Sequence, residues 1–350
     1  MLNISKLGIN KLIDSFRPFS SEQTSQRFFY RIIGLALKLI VSITAIYFIV
    51  SRIQRAESEL SFVGFFGEII AAPQFPLVLF ASLILTTLNW SMEVIKWKIL
   101  ISTQFEVRWK TALKGVLSGV TFGVFSPNRL GEFVGRVLAL APDRRVSGSL
   151  LSFVNGLAQT LATFSFGVFG LVYFVQYFGY EVFGGFGTLA IQLTISSSLV
   201  LAIMLYFRVD LLTSLFQRIR FLKAYHSYFI VFSELPNSIL HRIYQLSLLR
   251  FITFILQYVL VFYLILDSPE WMAIIGSSVL TLFSTTLVPF LPIPDLLLRE
   301  SIALSYFDLF NFDLYLVSIA VFCVWIVNVA LPALIGAVVL FTYKIFRRWS

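Results

Sequence analysis

The sequence predicts an all-α polytopic membrane protein: about six spanning helices plus two re-entrant or short helical hairpins in an inverted repeat, with both termini inside. Three observations carry this. Hydrophobic residues make up 58% of the 350 and charged residues only 13%, where a soluble domain has about 25% charged, and mean hydropathy is +0.87. Several apolar runs reach the roughly 20 residues that cross a ~30 Å hydrocarbon core as helix, and none alternates in the ~10-residue manner of a β-barrel strand. The lysines and arginines, finally, fall on one side of the chain so threaded.

Residues 1–27 are mixed polar, with Lys6, Lys11, Arg17 and Arg27. No small-residue cleavage site follows the next apolar run, so this reads as a cytoplasmic segment ahead of an uncleaved anchor. Spanning helices are expected over 28–50, 76–100, 150–177, 186–207, 243–266 and 314–343. Regions 111–142 and 271–309 are each interrupted midway by proline and charge, and both are expected to turn back to the side they enter from. That threading puts twenty Lys and Arg inside against Arg52 and Arg55 outside, as the positive-inside rule requires. A single crossing by 111–127 would place every later basic cluster on the wrong side. Residues 115–126 cover only about 18 Å as helix, so the first hairpin is re-entrant; 272–291 is long enough to span. Within one membrane domain, 28–343, the halves 28–177 and 186–343 then repeat upside down. In secondary transporters such repeats hold substrate between broken helices near the midplane, and a polar cavity between the hairpins is expected here. The basic loop 208–242 suits anionic lipid or a soluble partner.

Lys38, Arg129, Arg136, Arg250 and Arg299 remain at membrane depth. The hairpins break at Ser126-Pro127-Asn128-Arg129-Leu130-Gly131-Glu132 and at Pro292-Ile293-Pro294-Asp295-Leu296-Leu297-Leu298-Arg299-Glu300. Proline unsuits the preceding residue for helix and is accepted in the first turn of a new one, so Ser126 and Asp295 are expected as N-caps of half-helices. A half-helix beginning inside the membrane aims unpaired N–H groups and the positive end of its dipole at the gap, which favours an anion. Arginine adds a planar fork that matches phosphate. Arg129, Glu132 and Arg136, at i, i+3 and i+7, share one face. A lone ion at the bilayer centre costs at least about 2.5–3.5 kcal/mol, so these groups need partners. One arrangement is internal ion pairs, Glu132 with Arg136 and Glu300 with Arg299, tying the hairpins to the bundle. The other is a headgroup site lined by Asn128 and Asp295, with Arg129, Arg136 and Arg299 on phosphate and Glu132 and Glu300 facing an amine or a coupling proton.

Lys38 and Arg250 are either second-ring contacts to that headgroup or snorkel to the interface. Glu93, three residues before Lys96, reads as half of a local pair. Asn155 and Gln159, one turn apart, suit helix-to-helix hydrogen bonds first and substrate second. The hydroxyls from Ser277 to Thr286 satisfy backbone near Pro289 or line a polar path. The +9 formal charge follows from the positive-inside rule, so no nucleic acid is expected. Cys323 is a lone cysteine, which excludes an internal disulfide. No GxxxxGK[ST] phosphate loop is present, His226 and His241 have no ligand cluster beside them, and no nucleophile sits with a base; neither cofactor nor metal is expected.

Pro127 to Glu132 followed by Arg136 resembles the P-G-R-[LIV]-G-E signature of the lysylphosphatidylglycerol synthase transmembrane region, a flippase-like membrane domain family. The segment Pro294 to Glu300 is similar to that family's P-G-G-[LIV]-G-x-x-E element. The resemblance runs from about residue 30 to 343. Asn128 stands where the family has glycine, as do Asp295, Leu296 and Leu298, which limits how closely backbone approaches a headgroup. Bifunctional members carry a soluble aminoacyl-transferase domain after the membrane part. The resemblance covers only the membrane part and so implies translocation without lipid synthesis, and a separate synthase or envelope-assembly protein as partner. The expected function is movement of a phospholipid or lipid-linked headgroup between the leaflets of a bacterial-type inner membrane. The alternatives are a membrane-embedded transferase acting on a lipid phosphate, with Glu132 as base, and a non-catalytic scaffold of an envelope lipid or glycan assembly complex.

Overall fold

Apolar runs of this length can bury their backbone only as helix, because hydrocarbon offers no partner to a free N–H or C=O. The computed structural model describes residues 67, 69–124, 126, 131–218, 226–287 and 295–341, and among these it is helix and connection without a strand. Everything described belongs to one compact unit, Ala56–Ser350. The expected helix 28–50, the segment 1–27 and the residues Lys38, Asn128 and Arg129 lie outside the described residues.

Helix α1 spans Phe75–Ile101, with Pro76 in its first turn and Lys98 in its last. Helices α2 (Trp109–Val124) and α3 (Gly131–Val137) form the first hairpin. A Cβ on Gly131 would meet the Phe122 carbonyl, one on Gly135 the Ser118 oxygen at 2.5 Å, and one on Gly115 the Arg136 oxygen at 2.8 Å. That descending register is two antiparallel arms in backbone contact, the hairpin expected over 111–142. Helix α4 runs Arg145–Phe207, broken only at Gly184, whose φ of 65° favours glycine. The chain reverses there: Gln192 Nε2 donates to the Val172 carbonyl at 3.3 Å and to Gln176 Oε1 at 3.1 Å. Its two limbs supply the spans Pro142–Gly179 and Gly184–Phe207.

Two short helices, α5 (Asp210–Arg218) and α6 (His226–Ser233), precede α7, Asn237–Leu266, which stops at left-handed Asp267. The second hairpin is α8 (Trp271–Leu287) and α9 (Asp295–Asp308), tied by Ser284 Oγ and Tyr306 Oη at 2.8 Å. Asp313 then caps α10, Leu314–Trp325, by accepting from Tyr315 N at 2.8 Å. A π-turn over Ile326–Ala330 leads into α11, Leu331–Phe341. Among the described residues five helices are long and apolar enough to cross a membrane, matching five of the six expected spans; the sixth, 28–50, lies outside them.

The two hairpins have corresponding packing partners. Helix α2 lies on α11, where Thr121 Oγ1 donates to the Ala333 carbonyl at 2.8 Å and Gly336 admits the Leu117 backbone. Correspondingly, α8 lies on the first limb of α4, where Gly167 and Gly170 receive Phe283 and Val279. Half-helix α3 rests on α4 as α9 rests on α10, and α1 and α7 pack directly on one another between them. The entering arms of the hairpins are 16 and 17 residues, about 24–26 Å at 1.5 Å per residue, whereas the returning arms differ, 7 residues against 14.

Candidate functional site

One face of α1 is polar throughout: Ser82, Thr86, Asn89, Glu93 and Lys96 recur every three or four residues, and all are buried. A helix must place such a stripe against other protein, and here it meets α3, α4, α7 and the π-turn. The centre is Glu93, 2% exposed. Its Oε1 accepts from Arg136 Nη2 of α3 and from Asn155 Nδ2 of α4, both at 2.5 Å. Its Oε2 accepts from Lys96 Nζ at 3.3 Å and from Arg250 Nη1 of α7. Gln159 Oε1 bridges the two cations, accepting from Lys96 at 3.2 Å and Arg250 at 3.0 Å.

The network continues in both directions. Arg136 Nη2 also donates to Glu132 Oε1, one turn earlier in α3. Arg250 Nε donates to Asn89 Oδ1 at 2.7 Å, and its guanidinium lies 5.6 Å from the centre of the Trp90 ring. Asn89 Nδ2 donates to Asn328 Oδ1 at 3.3 Å, Asn328 Nδ2 to Gln257 Oε1, and Gln257 Nε2 to Thr86 Oγ1 at 2.9 Å. Asn328 sits in the π-turn, whose carbonyl accepts from Trp90 Nε1 at 3.0 Å. Among the described residues, three cations (Lys96, Arg136, Arg250) share two carboxylates (Glu93, Glu132) in this set. Buried charges survive only when so paired and hydrogen-bonded.

The second half carries a counterpart. Arg299 Nη2 donates to both oxygens of Asp295 at 3.2 and 3.1 Å, Nη1 to Tyr258 Oη of α7 at 3.4 Å, and the guanidinium lies 5.5 Å from the Phe254 ring centre. Glu132 and Arg136 precede Asp295 and Arg299 by the same 163 residues (132 to 295, 136 to 299), and both are i,i+4 ion pairs at the start of a half-helix. Asn155, on the span against α3, has its counterpart at the same spacing in Ser318, which donates to Glu300.

Ser126 Oγ accepts from Gly131 N, the first residue of α3, at 2.7 Å. Asp295 instead is the first residue of α9, held by Arg299. The expected pair of Glu132 with Arg136 forms. The expected pair of Glu300 with Arg299 does not: neighbours on a helix point about 100° apart, so Arg299 turns to Asp295 and Tyr258 while Glu300 turns to Ser318 on α10. Arg250 joins the cluster rather than snorkelling. Among the described residues no ion pair joins Glu132 or Arg136 to Asp295, Arg299 or Glu300. Hollows of about 260 and 340 Å³ lie elsewhere, the first lined by four phenylalanines of α3, α4 and α6 together with Ser149 and Leu150.

Glu93 is more than half of a local pair, and with Gln257 and Asn328 it is what reading the sequence missed. The signal was the three-and-four spacing of polar residues along α1. Asn155 and Gln159 serve the cluster directly. Thr281, Thr285 and Thr286 donate to carbonyls one turn back. Among the described residues no group of His, Cys, Asp and Glu is placed to hold a metal. No family model matches this chain, and no curated protein matches it.

Proposed function

We propose that this multi-pass membrane protein moves a phospholipid or lipid-linked headgroup between leaflets, in a bacterial-type inner membrane. The observation that supports this best is the carboxylate–arginine pair repeated at the start of two half-helices inside the bundle. Halves related by inversion can exchange conformations, opening the same kind of site first to one side and then to the other. Arg136 and Arg299 are each more than nine-tenths buried, yet Arg136 Nη1 and Arg299 Nε have no partner among the described residues. A buried N–H without a partner is costly, and a phosphate oxygen is what a guanidinium N–H accepts best. The likeness of Pro127 to Glu132 to the flippase-like signature points the same way.

The test is leaflet-to-leaflet movement of labelled phospholipids in proteoliposomes, with wild type, Arg136→Ala and Arg299→Ala at matched reconstitution. Acceleration by wild type that either substitution reduces at least tenfold supports the reading. Chemical conversion of the lipid would replace it with a transferase. Unchanged movement in both variants, from folded protein, would leave the ion pairs as structural ties.

A further inference from the structure

We propose that the short helices α5 and α6 form an interfacial platform, seated in the leaflet surface at the basic end of the bundle, that gathers anionic lipid around it. Their position follows from their tethers. The span before them ends at Phe207 and α5 begins at Asp210; α6 ends at Ser233 and the next span begins at Asn237. Connections this short reach about 10–14 Å at most, so both helices are held where the spans leave hydrocarbon. Gln104, just after α1, donates to Glu234 at 2.8 Å, and the Arg144 guanidinium lies 5.2 Å from the centre of the Phe105 ring. This is therefore the end that carries Arg108, Lys110, Arg144 and Arg145.

The outer surface of the two helices is apolar. Helix α5 docks on α6 through Thr213, which is buried and whose Oγ1 donates to the Phe229 carbonyl at 3.0 Å. Leu211 and Leu215 lie two positions to either side of Thr213, on the opposite face of the helix, and are 44% and 53% exposed. On α6, Tyr228 and Ile230 flank Phe229 and are exposed as well. A helix face turned to water carries polar residues; one lying in a membrane interface sinks its apolar face about 5–10 Å into the boundary between headgroups and chains. Between α6, α3 and the first limb of α4 lies the hollow of about 260 Å³ walled by Phe133, Phe153, Phe229 and Phe232, a space suited to lipid chains.

Charge selects the lipid. Residues 208–242 hold Arg208, Arg218, Arg220, Lys223 and Arg242 against Asp210 and Glu234, five less two, a net charge of +3. A basic residue beside an anionic leaflet strengthens attachment about fivefold. The lipids concerned are those of the surrounding leaflet, read by their surface charge, so the inference does not depend on what the chain transports.

The experiment uses the full chain in a Cys323→Ala background, with Leu215→Cys carrying an environment-sensitive fluorophore. Glu106→Cys, exposed on the connection between α1 and α2, is the reference. Both are reconstituted in phosphatidylcholine vesicles with a minor share of phosphatidylglycerol, and quenched by nitroxide lipid labelled near the top of the chain or by aqueous iodide. The label at 215 is expected to be quenched by nitroxide about threefold more than the label at 106, with the order reversed for iodide. Nitroxide on phosphatidylglycerol should quench it about twofold more than the same mole fraction on phosphatidylcholine. That ratio should fall to about one in ~1 M salt, where the Debye length is about 3 Å, and in the Arg208→Gln, Arg218→Gln double variant. Leu211→Cys is the second labelling position if Leu215→Cys disturbs folding. A label at 215 as open to iodide as the one at 106 would leave this surface to water or a soluble protein and overturn the proposal. Equal quenching by the two nitroxide lipids at low salt, or a preference that survives the double variant, would overturn it too.

Discussion

Arg136 and Arg299 hold the same place in two half-helices: each lies one turn after a carboxylate that it binds, and each reaches a different long helix, α1 at Glu93 and α7 at Tyr258. The same 163-residue spacing relates both members of the pair. The halves are alike in backbone plan and unlike in charge, since the first Arg meets a carboxylate where the second meets a phenol.

Removing Glu93 should therefore do more damage than removing Tyr258. Glu93→Ala leaves Lys96, Arg136 and Arg250 facing one another in a buried site, at a cost of about 3–5 kcal/mol. Tyr258→Phe removes one long hydrogen bond, about 1 kcal/mol. Thermal unfolding of the two variants in the same detergent gives the order, and equal losses would contradict the cluster.

The polar seam beyond the ions should also be felt. Gln257→Leu deprives Asn328 Nδ2 and Thr86 Oγ1 of partners in the bundle, which costs about 1–3 kcal/mol. A smaller loss than for an exposed control such as Thr253→Val would mean the seam is slack.

Glycines should sort by what they touch. Gly184 sits at φ 65° and ψ 174°, a backbone conformation essentially confined to glycine, with nothing within 4 Å of an added Cβ, so Gly184→Ala carries only backbone strain of about 1–3 kcal/mol. Gly167 would drive its Cβ into the Phe283 side chain and Gly336 into the Leu117 backbone. Gly336→Ala should be the worst of the three, because backbone yields less than a ring. Yield and melting temperature of the purified variants test the ranking.

Threading is testable by labelling. In a Cys323→Ala background, Glu106→Cys and Asp143→Cys flank the first hairpin and should react with an impermeant thiol reagent from one side. Glu270→Cys and Asn311→Cys flank the second and should react from the other. Gln104 donates to Glu234 at 2.8 Å, so position 234 belongs with the first pair. A mixed pattern within either pair would break the inverted repeat.

Much of this fold is legible in the sequence because each spanning helix satisfies its own backbone and announces itself by length and hydropathy. The two hairpins are legible for a related reason: Ser126-Pro127 and Pro294-Asp295 break helix locally, and the basic residues on either side admit only a return. Charge at membrane depth likewise marked Arg136, Arg250 and Arg299 as groups needing partners. Which partners they take was decided by the packing. Glu93 and Arg250 are 157 residues apart in sequence, and no local spacing tells a carboxylate on α1 which of the buried cations will converge on it. Arg299 and Glu300 are adjacent in sequence and, by helix geometry, part company. Composition and periodicity determined that this chain is a helical membrane bundle with two broken elements; only the tertiary structure decided that three cations meet at Glu93, because that depends on four helices bringing short polar groups within hydrogen-bond reach at one depth.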